Sequence, residues 1–194
     1  MTDSKPGYHH GDLRAALIDA GLQLTRAGGP EALTIREATR RVGVSPNAAY
    51  RHFADREALL SAVATAIQLR MAARMRTSVR RRGSSELLRA VGIGYIKFAL
   101  DEPGWFAVAF FGAVQSGETA NAPPYLALVE ALDAMVDAGA LSPQKRGGAE
   151  WPCWSAVHGF AELALHGPLR GTSRREMESL AHRTVDDIIA GVSR

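Results

Sequence analysis

Apolar residues recur along this chain at intervals of three and four, and nowhere do they alternate with polar ones for the length of a strand. Leu13, Ala16, Leu17, Ala20 and Leu24 make the first stripe, which stops at Gly28-Gly29-Pro30. Thr34 and Glu37 then offer a capping box, the Thr34 hydroxyl accepting from the Glu37 N–H while the Glu37 carboxylate reaches back. The short helix so begun keeps Ile35, Ala38 and Val42 on its inner face and ends at Gly43. Ser45-Pro46 starts another after only Gly43 and Val44, with a hydroxyl at the N-cap and proline at the first helical position, where its missing N–H costs nothing. Asp55 caps a long rod marked by Leu60, Val63, Ile67, Met71 and Met75 and first broken at Gly83-Ser84-Ser85. Its predicted length is roughly 40 Å, with Arg80, Arg81 and Arg82 in the last turn beside the free carbonyls.

The helical period continues to the C-terminus. A helix from about Glu86 ends before Pro103, and the short aromatic helix Trp-Phe-Ala-Val-Ala-Phe-Phe follows. Residues 114 to 124, closing on Pro123-Pro124, read as a loop. Tyr125, Leu128, Val129, Leu132, Met135 and Val136 stripe the next helix, with Glu130, Asp133 and Asp137 on its other side. Ala149 to Gly167 makes one more, halted by Gly167-Pro168. Ser173 and Glu176 repeat the capping box ahead of Met177, Leu180, Ala181, Thr184, Val185 and Ile188. The pattern predicts an all-α fold of about nine helices, without strands or internal repeats.

At 194 residues, 46% hydrophobic and 22% charged, the chain is an ordinary globular protein rather than a disordered or fibrous one. Its single cysteine, Cys153, rules out an internal disulfide and a cysteine-rich zinc site. The longest uncharged run, Pro103 to Gly117, is shorter than the about 20 residues a membrane helix needs. The opening residues carry no apolar segment of the secretory kind. These features predict a cytoplasmic protein with no membrane partner. No Ser-His-Asp order, glycine-rich phosphate loop or close carboxylate pair stands at a catalytic spacing, so no enzyme, metal or cofactor is expected. His9 and His10 lack a third ligand and fit an N-terminal arm rather than a metal site.

Charge changes the picture. Arginine dominates the bases, 20 against 3 lysines. Ile35 to Arg56 holds Arg36, Arg40, Arg41, Arg51 and Arg56 against Glu37 and Asp55. Val91 to Ala140 holds Lys97 against six acids. Two readings are open: scattered surface charge, or a polyanion-binding head on an acidic body.

Thr34 to Phe53, helix, tight turn, helix, has the spacing of a helix-turn-helix, which sets its second helix in the DNA major groove. Projected at about 100° per residue, Pro46, Ala49, Tyr50 and Phe53 share the packing side, while Asn47, Ala48, Arg51 and His52 face outward. Tyr50 falls at the boundary, its ring expected to be buried and its hydroxyl free for a phosphate. An ordinary helical hairpin with a polar face gives the same pattern.

The run TIREATRRVGVSPNAAYRHFADREALL, with YHHGDLRAALIDAGLQLTRAGG before it, closely resembles the N-terminal DNA-binding domain of the TetR family of bacterial transcriptional regulators, over about residues 8 to 60. Gly43-Val44-Ser45, Tyr50, His52-Phe53 and Arg56 carry the match, Arg56 standing where lysine is usual. The resemblance implies phosphate contacts from Thr34, Tyr50, His52 and Arg56 and base reading from Ser45, Pro46, Asn47, Ala48 and Arg51, with Arg36 as a further contact. The C-terminal part resembles the effector-binding and dimerisation domain of a subgroup named for Trp-His-Gly residues, here Trp154, His158 and Gly159.

Trp105, Phe106 and Phe110, with Tyr125, Trp154 and His158, are the candidate lining of a pocket for a small apolar or aromatic effector; they also fit plain core, and His158 a core or interface histidine. Ala156, Gly159, Ala161, Ala164 and Gly167 keep one helix slim, so that the last two helices either pair with a second copy or pack within the chain. The resemblance implies a homodimeric regulator, a ligand-responsive repressor of a palindromic operator in double-stranded DNA. The predicted division is a head at 8–54, a connecting helix at 55–82 and an effector-binding, dimerising body at 83–194, with the connecting helix as lever. A helical binding module that keeps its helix-turn-helix as scaffold is the alternative.

Overall fold

A computed structural model describes residues 12–77, 84–112 and 121–193. Among them the chain forms ten α-helices and no strand: α1 (Leu13–Gly28), α2 (Ile35–Val42), α3 (Pro46–Tyr50), α4 (Arg56–Thr77), α5 (Ser84–Asp101), α6 (Pro103–Phe111), α7 (Pro123–Asp137), α8 (Pro143–Arg146), α9 (Glu150–Leu165) and α10 (Arg174–Ser193). The expected nine are present; α8, a four-residue turn begun by a proline, is the addition. A 3-10 turn at Pro30–Ala32 also joins α1 to α2. Pro123-Pro124, expected to close a loop, instead opens α7, because a proline at the first helical positions gives up no hydrogen bond.

Helices α1, α2 and α3 form a small head, and α4 leads from it into the body. The stripe expected on α4 is its core face: Leu60, Val63, Ile67, Met71 and Met75 are each at most 1% exposed. Leu60 and Val63 anchor the head, while Met71 and Met75 meet the body, so α4 packs against α1, α5, α6 and α7. The described part of α4 spans 22 residues, about 33 Å at the standard rise. Arg80, Arg81, Arg82 and the break at Gly83 lie outside the described residues, as do His9 and His10.

In the body, α5 is central, bounded by α4, α6, α7, α9 and α10. Of the small residues on α9, Ala161 and Ala164 are buried within the chain, whereas a side chain at Gly159 would meet open space. No helix among the described residues is long and apolar enough to cross a membrane. None of them gathers three or more metal-ligating side chains.

Candidate nucleic-acid interface and effector cluster

Thr34 caps α2 as expected, its hydroxyl accepting from the Glu37 N–H at 3.1 Å. The reciprocal half of the box is not formed. Glu37 takes the Arg40 guanidinium instead, at 2.6 and 2.9 Å, because a paired charge-assisted fork outcompetes one neutral N–H. The Arg40 hydrogen bonds hold the Glu37 carboxyl below its ordinary range. Gly43 ends α2 in the left-handed region at φ 81°, and the N–H groups of Gly43 and Val44 both return to the Thr39 carbonyl. Ser45 stands at the N-cap of α3 with extended backbone, but its hydroxyl makes no cap bond; Pro46 supplies the start.

Only five residues long, α3 is fastened by Ala49, fully buried, and by Phe53 just beyond it, whose ring lies under the Arg14 guanidinium. Two anchors four residues apart make a narrow buried stripe, and this corrects the expected packing side. Pro46 and Tyr50 are exposed, Tyr50 by 54%, so its ring joins Asn47, Arg51 and His52 on the outward surface. Ala48, expected outside, is half-buried.

The guanidiniums of the head divide into two sets. Arg40 and Arg41 are engaged by Glu37, and Arg41 also by Gln23. Arg56 donates to the carbonyls of Pro30 at 2.6 Å and Leu33 at 2.7 Å and touches Glu57. This side chain therefore ties the start of α4 to the turn after α1, a two-carbonyl clasp that suits the arginine fork and not a lysine. Arg36 and Arg51 are exposed, and their guanidiniums have no ion pair or hydrogen bond among the described residues. An outward face with an amide, a phenol, an imidazole and two uncommitted guanidiniums is equipped for phosphates and base edges.

In the body, His158 lies inside a cluster of rings: Phe110, Phe106, Phe111, Tyr95 and Trp154 have centroids 5.4, 5.6, 5.8, 6.3 and 6.4 Å from its own. Tyr95, which sequence reasoning missed, is 1% exposed and places its hydroxyl 2.7 Å from His158 Nδ1. Its position in the α5 stripe Leu88, Val91, Tyr95, Phe98 was the available signal. Tyr125 joins the outer end, its ring tilted against Trp151 and Trp154 with centroids 5.8 and 6.0 Å away. Beside the cluster, Met75, Leu128, Tyr95, Trp154, Val157 and Val185 surround an almost wholly apolar cavity of about 20 Å³, close to the room one water needs. Cys153 also lines it, its thiol pushed up to about 11 by burial, so it stays protonated.

Burial among the rings lowers the His158 pKa, against the weaker opposite pull of Glu162. The folded state then binds fewer protons than the unfolded chain just below the ordinary histidine value of about 6.5. Stability present above that value is lost as pH falls towards the depressed one. The thermal midpoint should fall between about pH 7.5 and 5.5, and His158→Gln should flatten that slope; an unchanged slope in the variant would contradict the burial account.

Trp105 is not part of the cluster. It leaves the opposite side of α6, where its indole N–H donates to the Leu22 carbonyl at 2.8 Å and the Arg26 and Arg70 guanidiniums lie 5.3 Å from its ring. Arg26 of α1 also holds Glu102, the buried residue before α6, through bonds of 2.6 and 2.7 Å. Gly104 completes the seam: a Cβ there would strike the Arg26 carbonyl and stand 2.5 Å from that of Thr25. Helix α6 thus turns Phe106 and Phe110 to the ring cluster and Gly104 and Trp105 to the head.

Two family models match this arrangement, one described as bacterial regulatory proteins of the tetR family over residues 17–63, the other as a tetracyclin repressor-like C-terminal domain over 88–188. The chain belongs to the TetR family. It has that family's DNA-binding helix-turn-helix followed by a helical C-terminal domain, and TetR regulators act on transcription by binding DNA, not by catalysis. Among solved structures, a protein of unknown function from Rhodococcus sp. RHA1 is 25% identical with a TM-score of 0.79, covering 98% of this chain and 100% of that one. A TetR regulator from Streptomyces coelicolor is 17% identical with a TM-score of 0.70, covering 93% and 97%. A TetR variant from Acinetobacter baumannii AYE, solved in complex with minocycline, is 21% identical with a TM-score of 0.65, covering 92% and 94%. The last two are alike in fold. No curated protein matches the chain in sequence.

Proposed function

We propose that this TetR protein is an effector-responsive regulator, acting as a repressor, whose homodimer binds a palindromic operator. The observation that carries the reading is the outward surface of α3, where Asn47, Tyr50, Arg51 and His52 stand exposed and Arg51 carries an uncommitted charge. Thr34, Ser45, Pro46 and Arg36 extend that surface towards the phosphates, Ala48 sits close beneath it, and Arg56 contributes by fixing the head's orientation on α4. Residues 8–54 serve as head, 55–82 as connecting helix and 83–194 as body.

The last two helices form the dimer seam. Support comes from the open side of α9, where Gly159 faces empty space and Leu163 is 47% exposed. A two-fold dimer presents two α3 helices to half-sites about 34–36 Å apart. We read the body as one of the Trp-His-Gly subgroup, on its resemblance at Trp154, His158 and Gly159, with the effector entering beside Trp154, Tyr125, Phe106, Phe110 and His158. Because the cavity beside Trp154 is small, an effector binds only a state in which the helices around it, α4, α5, α7, α9 and α10, have parted. That requirement favours a second conformation over the packed one. With α6 seated on both cluster and head, the displacement reaches α1 directly, as well as through α4.

Salt dependence tests the proposal. Operator affinity of the purified protein should fall steeply and log-linearly with salt as phosphate counterions are released. A flat response would mean that the helix-turn-helix serves only as scaffold.

A further inference from the structure

Of the seven arginines from Asp12 to Arg56, four are spent within the chain: Arg26 on Glu102, Arg40 and Arg41 on Glu37, and Arg56 on the carbonyls of Pro30 and Leu33. Arg36 and Arg51 belong to the outward surface already described. The seventh is Arg14, in the first turn of α1. It is exposed, and its guanidinium makes no ion pair or hydrogen bond among the described residues.

What holds this side chain is a ring. Arg14 Cζ lies 5.3 Å from the centroid of Phe53, within cation–π reach, and Phe53 is 3% exposed. Phe53 comes two residues after Arg51 at the C-cap of α3 and directly after the exposed His52. The start of α1 and the end of α3 therefore meet at this contact. The stack occupies one face of the guanidinium and leaves its N–H donors without partners.

No acid of the chain answers the charge. Asp12 and Asp55 flank the contact in sequence, but each caps a helix, accepting from the N–H of Ala15 at 3.1 Å and from that of Ala58 at 2.7 Å. The first turn of α1 is already the positive end of a helix, so a cation there opposes the fold's own field. Covering Phe53 needs an apolar stem and no charge. The charge is explained by an anion that the chain itself does not supply.

On the reading of α3 as the helix that enters the major groove, we infer that Arg14 contacts an operator phosphate. Phe53 acts through it as a positioning residue, keeping the guanidinium at the C-terminal end of α3. That end lies beyond the residues aimed at base edges, where the groove is walled by phosphates. Each head then grips the duplex from α1 as well as from α2 and α3.

The test measures binding of the full chain, over a salt series, to an operator selected from random duplex DNA and to an unrelated duplex of equal length. Arg14→Met keeps an apolar chain over Phe53 and removes the charge, so an unchanged thermal midpoint reports an intact head. Affinity should fall by the same factor on both duplexes, and the slope of log affinity against log salt should lessen by about 0.9 for each head engaged. The deficit should accordingly shrink about 3.5-fold per head between about 50 and 200 mM salt. Arg14→Lys should keep the wild-type slope, because the charge alone releases the counterion. Should the methionine lower the midpoint, Arg14→Gln takes its place with the same expectations. Wild-type affinity and slope in Arg14→Met overturn the assignment, and so does a loss confined to the operator, which would mean base reading. An equal change of slope from Lys145→Ala, exposed on α8, would reduce the effect to overall charge and overturn it too. If Arg51→Ala weakens operator binding while Arg14→Met does not, Arg14 leaves the interface and the α3 surface stands. Wild-type binding without salt dependence removes both.

Discussion

Alanine at Gly104 should loosen the head from the body. The glycine sits where the start of α6 meets the end of α1, and the added Cβ would strike backbone carbonyl oxygens of Thr25 and Arg26. A flexible side chain could move aside; a helix terminus held by its own hydrogen bonds cannot. The seam is closed on both flanks, by the Arg26–Glu102 fork and by the Trp105 indole on the Leu22 carbonyl, so relief means separating α6 from α1. Overpacking of this kind costs about 1–3 kcal/mol, which for a chain of this size lowers the thermal midpoint by about 2–12 °C. Trp105 reports the cause, because its fluorescence should shift to the red as the indole leaves Arg26 and Arg70. An unchanged midpoint and spectrum would show that α6 does not rest on α1 as described.

Arg51→Ala should cost operator binding about 1–3 kcal/mol if the guanidinium pairs bidentately with a guanine, and should relax preference at that one base pair. The expectation is specific to Arg51 because its charge is uncommitted, whereas Arg40 spends its fork on Glu37. Arg40→Ala should therefore change affinity less and leave sequence preference alone. Folding should be indifferent to Arg51→Ala, since the side chain is exposed. Equal losses for the two variants, or an operator affinity untouched by Arg51→Ala, would remove Arg51 from the reading surface.

The helices were legible because each buries one stripe, and a stripe is written in the local order of residues; Leu60 to Met75 on α4 is the clearest instance. What resisted reading was the meeting of distant stripes. Tyr95 could be assigned to a buried face, yet its partner His158 is 63 residues away, and nothing local pairs them. Glu102 looked like one more acid of an acidic segment, whereas it is buried against an arginine 76 residues distant. Trp105 and Phe106 are neighbours in sequence and leave α6 on opposite sides, so counting aromatics put both in one pocket. Tyr50 was misplaced for a local reason: a five-residue helix turns on its two anchors, Ala49 and Phe53, and does not bury the full width that helical projection assigns. Arg56 shows the reverse, a position read from the family resemblance whose side chain is held by backbone carbonyls of its own chain.

Selection of bound fragments from random duplex DNA tests the central claim most directly. Recovery of a two-fold symmetric site whose half-sites lie one helical turn apart, about 34–36 Å, is the predicted result. Fragments without a shared sequence, or with a single unsymmetrical element, would contradict the paired presentation of α3.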